Sequence, residues 1–204
     1  MLDPSLETPP ARWSRPRFLA PLAIRDFALI WAATAISRLG DGLYLVAIAW
    51  QTYAVSNVPT ALSIVGIATT LPQIVLLLFS GALSDRFARR RLMVIADGLR
   101  AVAIGVLGAL ALLDWLSLAV IVGLVAVYAV GIALFQPASA SLLPLVVPPE
   151  RRAQANGLMR LASALAVRLV GPALGGFVTG VFGAGTAFFA DSATFVVSLS
   201  LLLV

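Results

Sequence analysis

Six apolar runs, each long enough to cross a lipid bilayer, govern what this chain can fold into: about 27–50, 59–83, 92–113, 115–138, 153–179 and 184–204. A membrane-spanning helix needs about 20 predominantly apolar residues to cover about 30 Å of hydrocarbon. The runs lack the polar–apolar alternation of barrel strands. Hydrophobic residues make up 61% of the chain and charged residues 11%. A water-soluble domain of 204 residues has too little interior to hide that much apolar surface. The sequence therefore predicts an all-α integral membrane protein with the lipid bilayer as its solvent.

All fourteen basic residues are arginine; lysine, histidine and cysteine are absent. This excludes disulfides, thiol nucleophiles, histidine bases and the usual zinc centres. No nucleophile–base pair or metal-ligand cluster is visible either, so no enzyme, metal or cofactor is expected. The net charge of +5 sits mostly in short loops, where positive charge records membrane topology and not nucleic-acid binding.

The arginines are distributed unevenly. Arg12, Arg15, Arg17 and Arg25 precede or open the first run, Arg86, Arg89, Arg90 and Arg91 separate the second from the third, and Arg151 and Arg152 separate the fourth from the fifth. The alternate connections, near Ser56-Asn57, Asp114 and Gly183–Gly185, carry none. Ten arginines on one side against none on the other place the amino terminus in the cytoplasm of a multi-pass cell (inner) membrane protein. Residues 1–24, rich in proline and arginine, read as a disordered cytoplasmic tail. Residues 25–204 read as a six-helix transmembrane lobe; its last run reaches Val204 without a polar flank, as in the first half of a longer protein.

Gly81-Ala82-Leu83-Ser84-Asp85-Arg86-Phe87-Ala88-Arg89-Arg90 resembles the signature loop between the second and third helices of the major facilitator superfamily, with Ala88 where a second glycine is usual. Ser37-Arg38-Leu39-Gly40-Asp41, Leu143-Pro144 with Val147-Pro148 and Glu150, and Ala155-Asn156-Gly157 are similar to its drug-exporter branch, which includes macrolide-efflux and enterobactin-exporter proteins. Gly171-Pro172-Ala173-Leu174-Gly175-Gly176 resembles the end of an exporter's antiporter motif, with Val167 where an earlier glycine is expected. The resemblance implies two inverted three-helix repeats in this lobe, a missing C-terminal lobe and a substrate site between the lobes. It also implies that Gly81, Asp85, Arg86, Arg89 and Arg90 form a conformational latch. The arginine expected in the fourth helix is missing, and Arg100 is a candidate substitute.

Charges inside the runs need partners or water. By a rise of roughly 1.5 Å per residue, Asp97, Arg100 and Arg160 lie within about 12 Å of the cytosolic surface, close enough to snorkel or to pair with the arginine loop. Asp41, Arg168 and Asp191 come out near midplane, about 20–22 Å deep, with Arg38 a turn lower. Thr34, Ser37, Arg38, Asp41, Tyr44 and Gln51 form a polar stripe on the first helix. The expected proton-coupling and substrate cavity is Asp41, Arg38, Tyr44, Arg168 and Asp191. Asp41 either exchanges a proton as Arg38 or Arg168 moves, or forms a static pair with Arg38. Asp191 either joins in coupling or pairs with Arg168. Gly171, Pro172, Gly175 and Gly176, with Gly180, allow close helix packing and a bend.

These features lead to a secondary active transporter that exports drugs, antibiotics or siderophore-like compounds against protons by alternating access. The small amphipathic substrate and the protons are its expected partners. The alternatives are a metabolite symporter and a non-transporting six-helix membrane subunit.

Overall fold

The computed structural model describes the backbone of residues 17–86 and 88–204, and the side chains of 18–76 and 88–204. Long helices account for nearly all of it: α1 (Arg25–Val55), α2 (Pro59–Arg86), α3 (Arg89–Leu112), α4 (Leu118–Val146), α5 (Arg152–Leu165), α6 (Gly171–Phe182) and α7 (Ala184–Leu203). A π-helical turn, Ala166–Val170, joins α5 to α6. Together they make the fifth of six helical segments long and apolar enough to span a membrane.

The connections explain the helix ends. Pro59 opens α2, where a missing N–H costs nothing. Asp114 takes φ 56° in the turn after α3, a conformation that aspartate tolerates. The Ser117 hydroxyl accepts a bond from the Val120 amide and caps α4. Gly183 alone separates α6 from α7, and its φ of 86° with ψ of 162° suits only glycine. Connections this short force consecutive spans to run in opposite directions.

The packing pattern is twofold. The first span packs on the sixth (α7), as the fourth packs on the third; the first packs on the fifth, as the fourth packs on the second; and α3 packs on α7. Exchanging spans 1–3 with spans 4–6 leaves this pattern unchanged. An odd number of crossings per repeat means the two repeats traverse the membrane in opposite senses, as inverted repeats do. The architecture is a six-helix lobe of the major facilitator fold.

The first span meets the fifth almost backbone to backbone. A β-carbon on Gly42 would come 2.7 Å from Gly171 Cα, and one on Gly175 would come 2.8 Å from the Leu43 carbonyl oxygen. Gly171 and Gly175 lie against the backbone of α1, whereas Gly176 and Gly180 have nothing within 4 Å of a β-carbon among the described residues. The expected bend takes the form of the π-turn. Pro172 cannot donate to a carbonyl four residues back, and the Gly171 amide reaches five residues back to Ala166 instead.

One expectation changes at the amino-terminal end. Residues 17–23, read as part of a disordered tail, form a 3₁₀ helix around Pro21. It packs on α1 and α5, with Leu22 and Ile24 against the cluster of Phe27, Leu143 and Leu158. Its apolar Phe-Leu-Ala-Pro-Leu-Ala stretch has enough surface to hold it there.

The glycine contacts make a direct prediction. Gly171→Ile drives a branched side chain into the Gly42 backbone, so it should lower thermal stability in detergent by about 1–3 kcal/mol or prevent folding. Gly176→Ala, facing open space, should leave the melting temperature unchanged.

Candidate functional site

Along α1 the buried side chains change character. Ile30 and Ala33 belong to one apolar cluster, which includes Met93, Ala96, Phe135 and Leu202. Tyr44, Ala47 and Ile48 belong to a second, which includes Ile104, Leu107, Val125, Tyr128, Phe188 and Phe195. Between them lies a layer of charge: Ser37 and Asp41 from α1, Asp97 and Arg100 from α3, and Ser198 from α7.

Arg100 is the centre of this layer and is 1% exposed. Its Nη1 donates to Asp97 Oδ1 at 2.9 Å and to Ser37 Oγ at 2.8 Å. Its Nη2 pairs with Asp41 Oδ1. Ser37 passes its own proton to Asp97 Oδ1 at 3.3 Å, and Ser198 donates to Asp97 Oδ2 at 2.5 Å. Tyr128, from α4, donates its hydroxyl to Asp41 Oδ1 at 2.6 Å. Arg38 Nη1 approaches Asp41 Oδ2 at 3.2 Å. The guanidinium carbon of Arg100 lies 4.0 Å from the Phe195 ring centre, and between 5.5 and 5.6 Å from those of Phe135 and Tyr128. The aromatic faces supply partial negative charge where no further carboxylate reaches.

Two glycines make room for the layer. A β-carbon at Gly131 of α4 would come 2.9 Å from both the Arg100 side chain and the Ala96 carbonyl oxygen. One at Gly40 of α1 would collide with the carboxylate of Asp191 and the hydroxyl of Thr194. Asp191 is thus pressed against the backbone of α1. It is fully buried, and neither of its carboxylate oxygens accepts a hydrogen bond from a described residue. Asp41, Asp97, Arg38 and Arg100 balance in formal charge; Asp191 is the surplus acid.

Several expectations are corrected here. Asp97 and Arg100 do not snorkel; both are buried in the charge layer. The helix begins at Arg89, three residues before the start read from the apolar run. Arg100 therefore sits about 16 Å along it, and its long side chain reaches inward. Among the described residues, the carboxylates Arg100 pairs with are those of Asp41 and Asp97. Arg168 does not join Asp41 and Asp191 at midplane and forms no ion pair with a described residue; it is exposed in the π-turn. Asp191 is not its partner. Tyr44 is buried with its ring 4.4 Å from that of Tyr128.

Of the latch residues, the side chains of Gly81, Asp85 and Arg86 lie outside the described residues. Arg89 opens α3, and Arg90 Nε donates to the Leu202 carbonyl on α7. Tyr128 and Ser198 were not singled out from sequence. The available signal was the spacing of Asp97 and Arg100, which puts both charges on one face of α3 and demands partners from other helices.

Beside the layer, α1, α4, α5 and the π-turn line an open cavity of about 570 Å³. Arg38 lines it while pairing with Asp41, so a single side chain touches both cavity and layer. Thr34, Gln136, Ser139, Asn156, Arg160 and Arg168 also line it.

The described residues thus form a bundle of helices able to span a membrane, with a buried ionic layer and a polar cavity beside it. The profile of the transmembrane secretion effector family matches residues 17–204, and the chain belongs to that family of the major facilitator superfamily. It is 31% identical over 178 residues to the multidrug efflux pump Tap of Mycobacterium tuberculosis, covering 84% of this chain and 42% of the relative. The multidrug efflux pump Tap of Mycolicibacterium fortuitum is 29% identical over 177 residues, covering 84% and 43%. The lysophospholipid transporter LplT of Yersinia pestis is 32% identical over 162 residues, covering 78% and 37%. The chain therefore spans about two fifths of the length of these relatives.

Removing the shared cation tests the layer. Arg100→Met strands two buried carboxylates and should destabilise the lobe by about 3–5 kcal/mol in detergent unfolding. The double variant Arg100→Met with Asp41→Asn should recover part of that loss, a coupling that a double-mutant cycle measures.

Proposed function

We propose that this lobe works in a proton-driven exporter of small amphipathic compounds, with alternating access of the cavity to the two sides of the membrane. The observation that carries the reading is the double engagement of Arg38, which lines the cavity and pairs with Asp41. A cargo that draws on Arg38 weakens its hold on Asp41, and a proton arriving at Asp41 frees Arg38 for the cavity. Occupancy of the cavity and protonation of the layer are then linked, and linkage of this kind is reciprocal. Asp191 supports the same reading. A buried acid without a partner among the described residues is costly in lipid, and such residues mark proton paths in transporters.

Drug efflux and lysophospholipid transport, named for the relatives, agree with an amphipathic cargo. The arginine bias of the connections supports a cytoplasmic amino terminus, and antiport follows from proton entry opposing cargo exit. In this reading, Arg89 and Arg90, with Gly81, Asp85 and Arg86, hold the cytoplasmic ends of the helices in one of two arrangements.

Asp41→Asn should abolish efflux driven by a pH gradient while leaving membrane insertion intact, measured as dye export from energised inverted vesicles. Efflux at the wild-type rate would sink the proton role of Asp41. Asp191→Asn should slow efflux and flatten its dependence on pH.

A further inference from the structure

The cavity has a one-sided charge. Arg38, Arg160 and Arg168 line it, and none of its lining residues is acidic. Only Arg38 has a carboxylate partner among the described residues. Three guanidinium groups line one open space of about 570 Å³, with Arg160 and Arg168 exposed in it, and like charges on one surface repel one another. An anion in the cavity converts that repulsion into attraction.

Backbone geometry adds to the convergence. Arg160 and Arg168 are eight residues apart, which in an unbroken α-helix would leave them about 80° apart around the axis. The π-turn at Ala166–Val170 is wider and rotates less per residue. It swings Arg168 back toward the side of Arg160, and both reach the same cavity. Guanidinium is planar, permanently charged and matched to the paired oxygens of phosphate and carboxylate. Gln136 and Asn156 add neutral donors, and Met159 adds an apolar wall.

We infer that the cavity recognises an amphiphile through an anionic head group, a phosphate or a carboxylate, held by Arg160 and Arg168. The inference rests on the transport reading above and narrows its substrate class. Arg38 completes the site and carries the effect of the bound anion to Asp41.

The test uses the full protein in phosphatidylcholine nanodiscs, with empty nanodiscs subtracted. The calorimetric probes are octyl phosphate, octyltrimethylammonium and inorganic phosphate. Octyl phosphate should bind at least about tenfold more tightly than octyltrimethylammonium, and Arg160→Gln and Arg168→Gln should each weaken it roughly tenfold. Arg160→Lys should retain part of the affinity. Equal binding of the anionic and cationic probes, or unchanged affinity in both glutamine variants, overturns the inference. Competition by inorganic phosphate at the same concentrations as octyl phosphate overturns the amphiphile assignment in favour of a free anion. Proton-driven export of a neutral dye by the same preparation separates the two readings. Export without any preference for anions defeats the head-group inference alone. Selective octyl phosphate binding without export of dye or octyl phosphate supports the head-group inference and defeats the transport reading.

Discussion

One guanidinium ties together helices from both repeats. Arg100 on α3 holds Asp41 of α1 directly, and through Asp97 it reaches Ser198 of α7. Tyr128 brings α4 to the same carboxylate. In hydrocarbon, apolar side chains gain little by leaving lipid for a neighbouring helix, so polar contacts and close packing carry more of the association. A charge network linking four of the six spans therefore fixes which helices are neighbours and at what height. The apolar clusters above and below fill the remaining space.

The twofold packing makes this economical. α3 and α7, the equivalent third members of the two repeats, face each other, and both contribute to the layer. The layer is not symmetric. Its central cation comes from α3, with Arg38 of α1 at its edge, whereas α7 offers Ser198 and Asp191, whose carboxylate accepts no hydrogen bond from a described residue. The fifth span takes no part in the layer and instead supplies cavity arginines on a helix whose regularity is broken by the π-turn. The charge layer and the other cavity arginines are thereby carried by different helices, with Arg38 touching both.

The six spans were legible because transfer into lipid depends on summed hydropathy, which a sequence displays directly. The charge layer was only half legible. Asp41 stood out by depth, but Arg100 and Asp97 were assigned to the cytosolic surface because depth along one helix says nothing about where a side chain of Arg100's length points. Arg168 was misplaced for the converse reason. The face it occupies depends on a π-turn that regular 3.6-residue counting omits. Tyr128 and Ser198 carry no signal of their own; their roles arise only when α4 and α7 close on α3. Gly171 and Gly175 lie against α1, while Gly176 faces away from it, a difference of helix face that composition alone does not display.

The contact between Gly42 and Gly171 also has a mechanical meaning. Two backbones that touch at their α-carbons cannot roll or slide past each other without losing that fit. The first and fifth spans therefore behave as one stiff beam. That beam carries Arg38 on the first span and Arg160 and Arg168 along the fifth, so the weld fixes the separation of the helices that bear these arginines. Widening of the cavity has to come from its remaining wall, α4, where Pro137 and Pro144 interrupt the hydrogen-bond ladder.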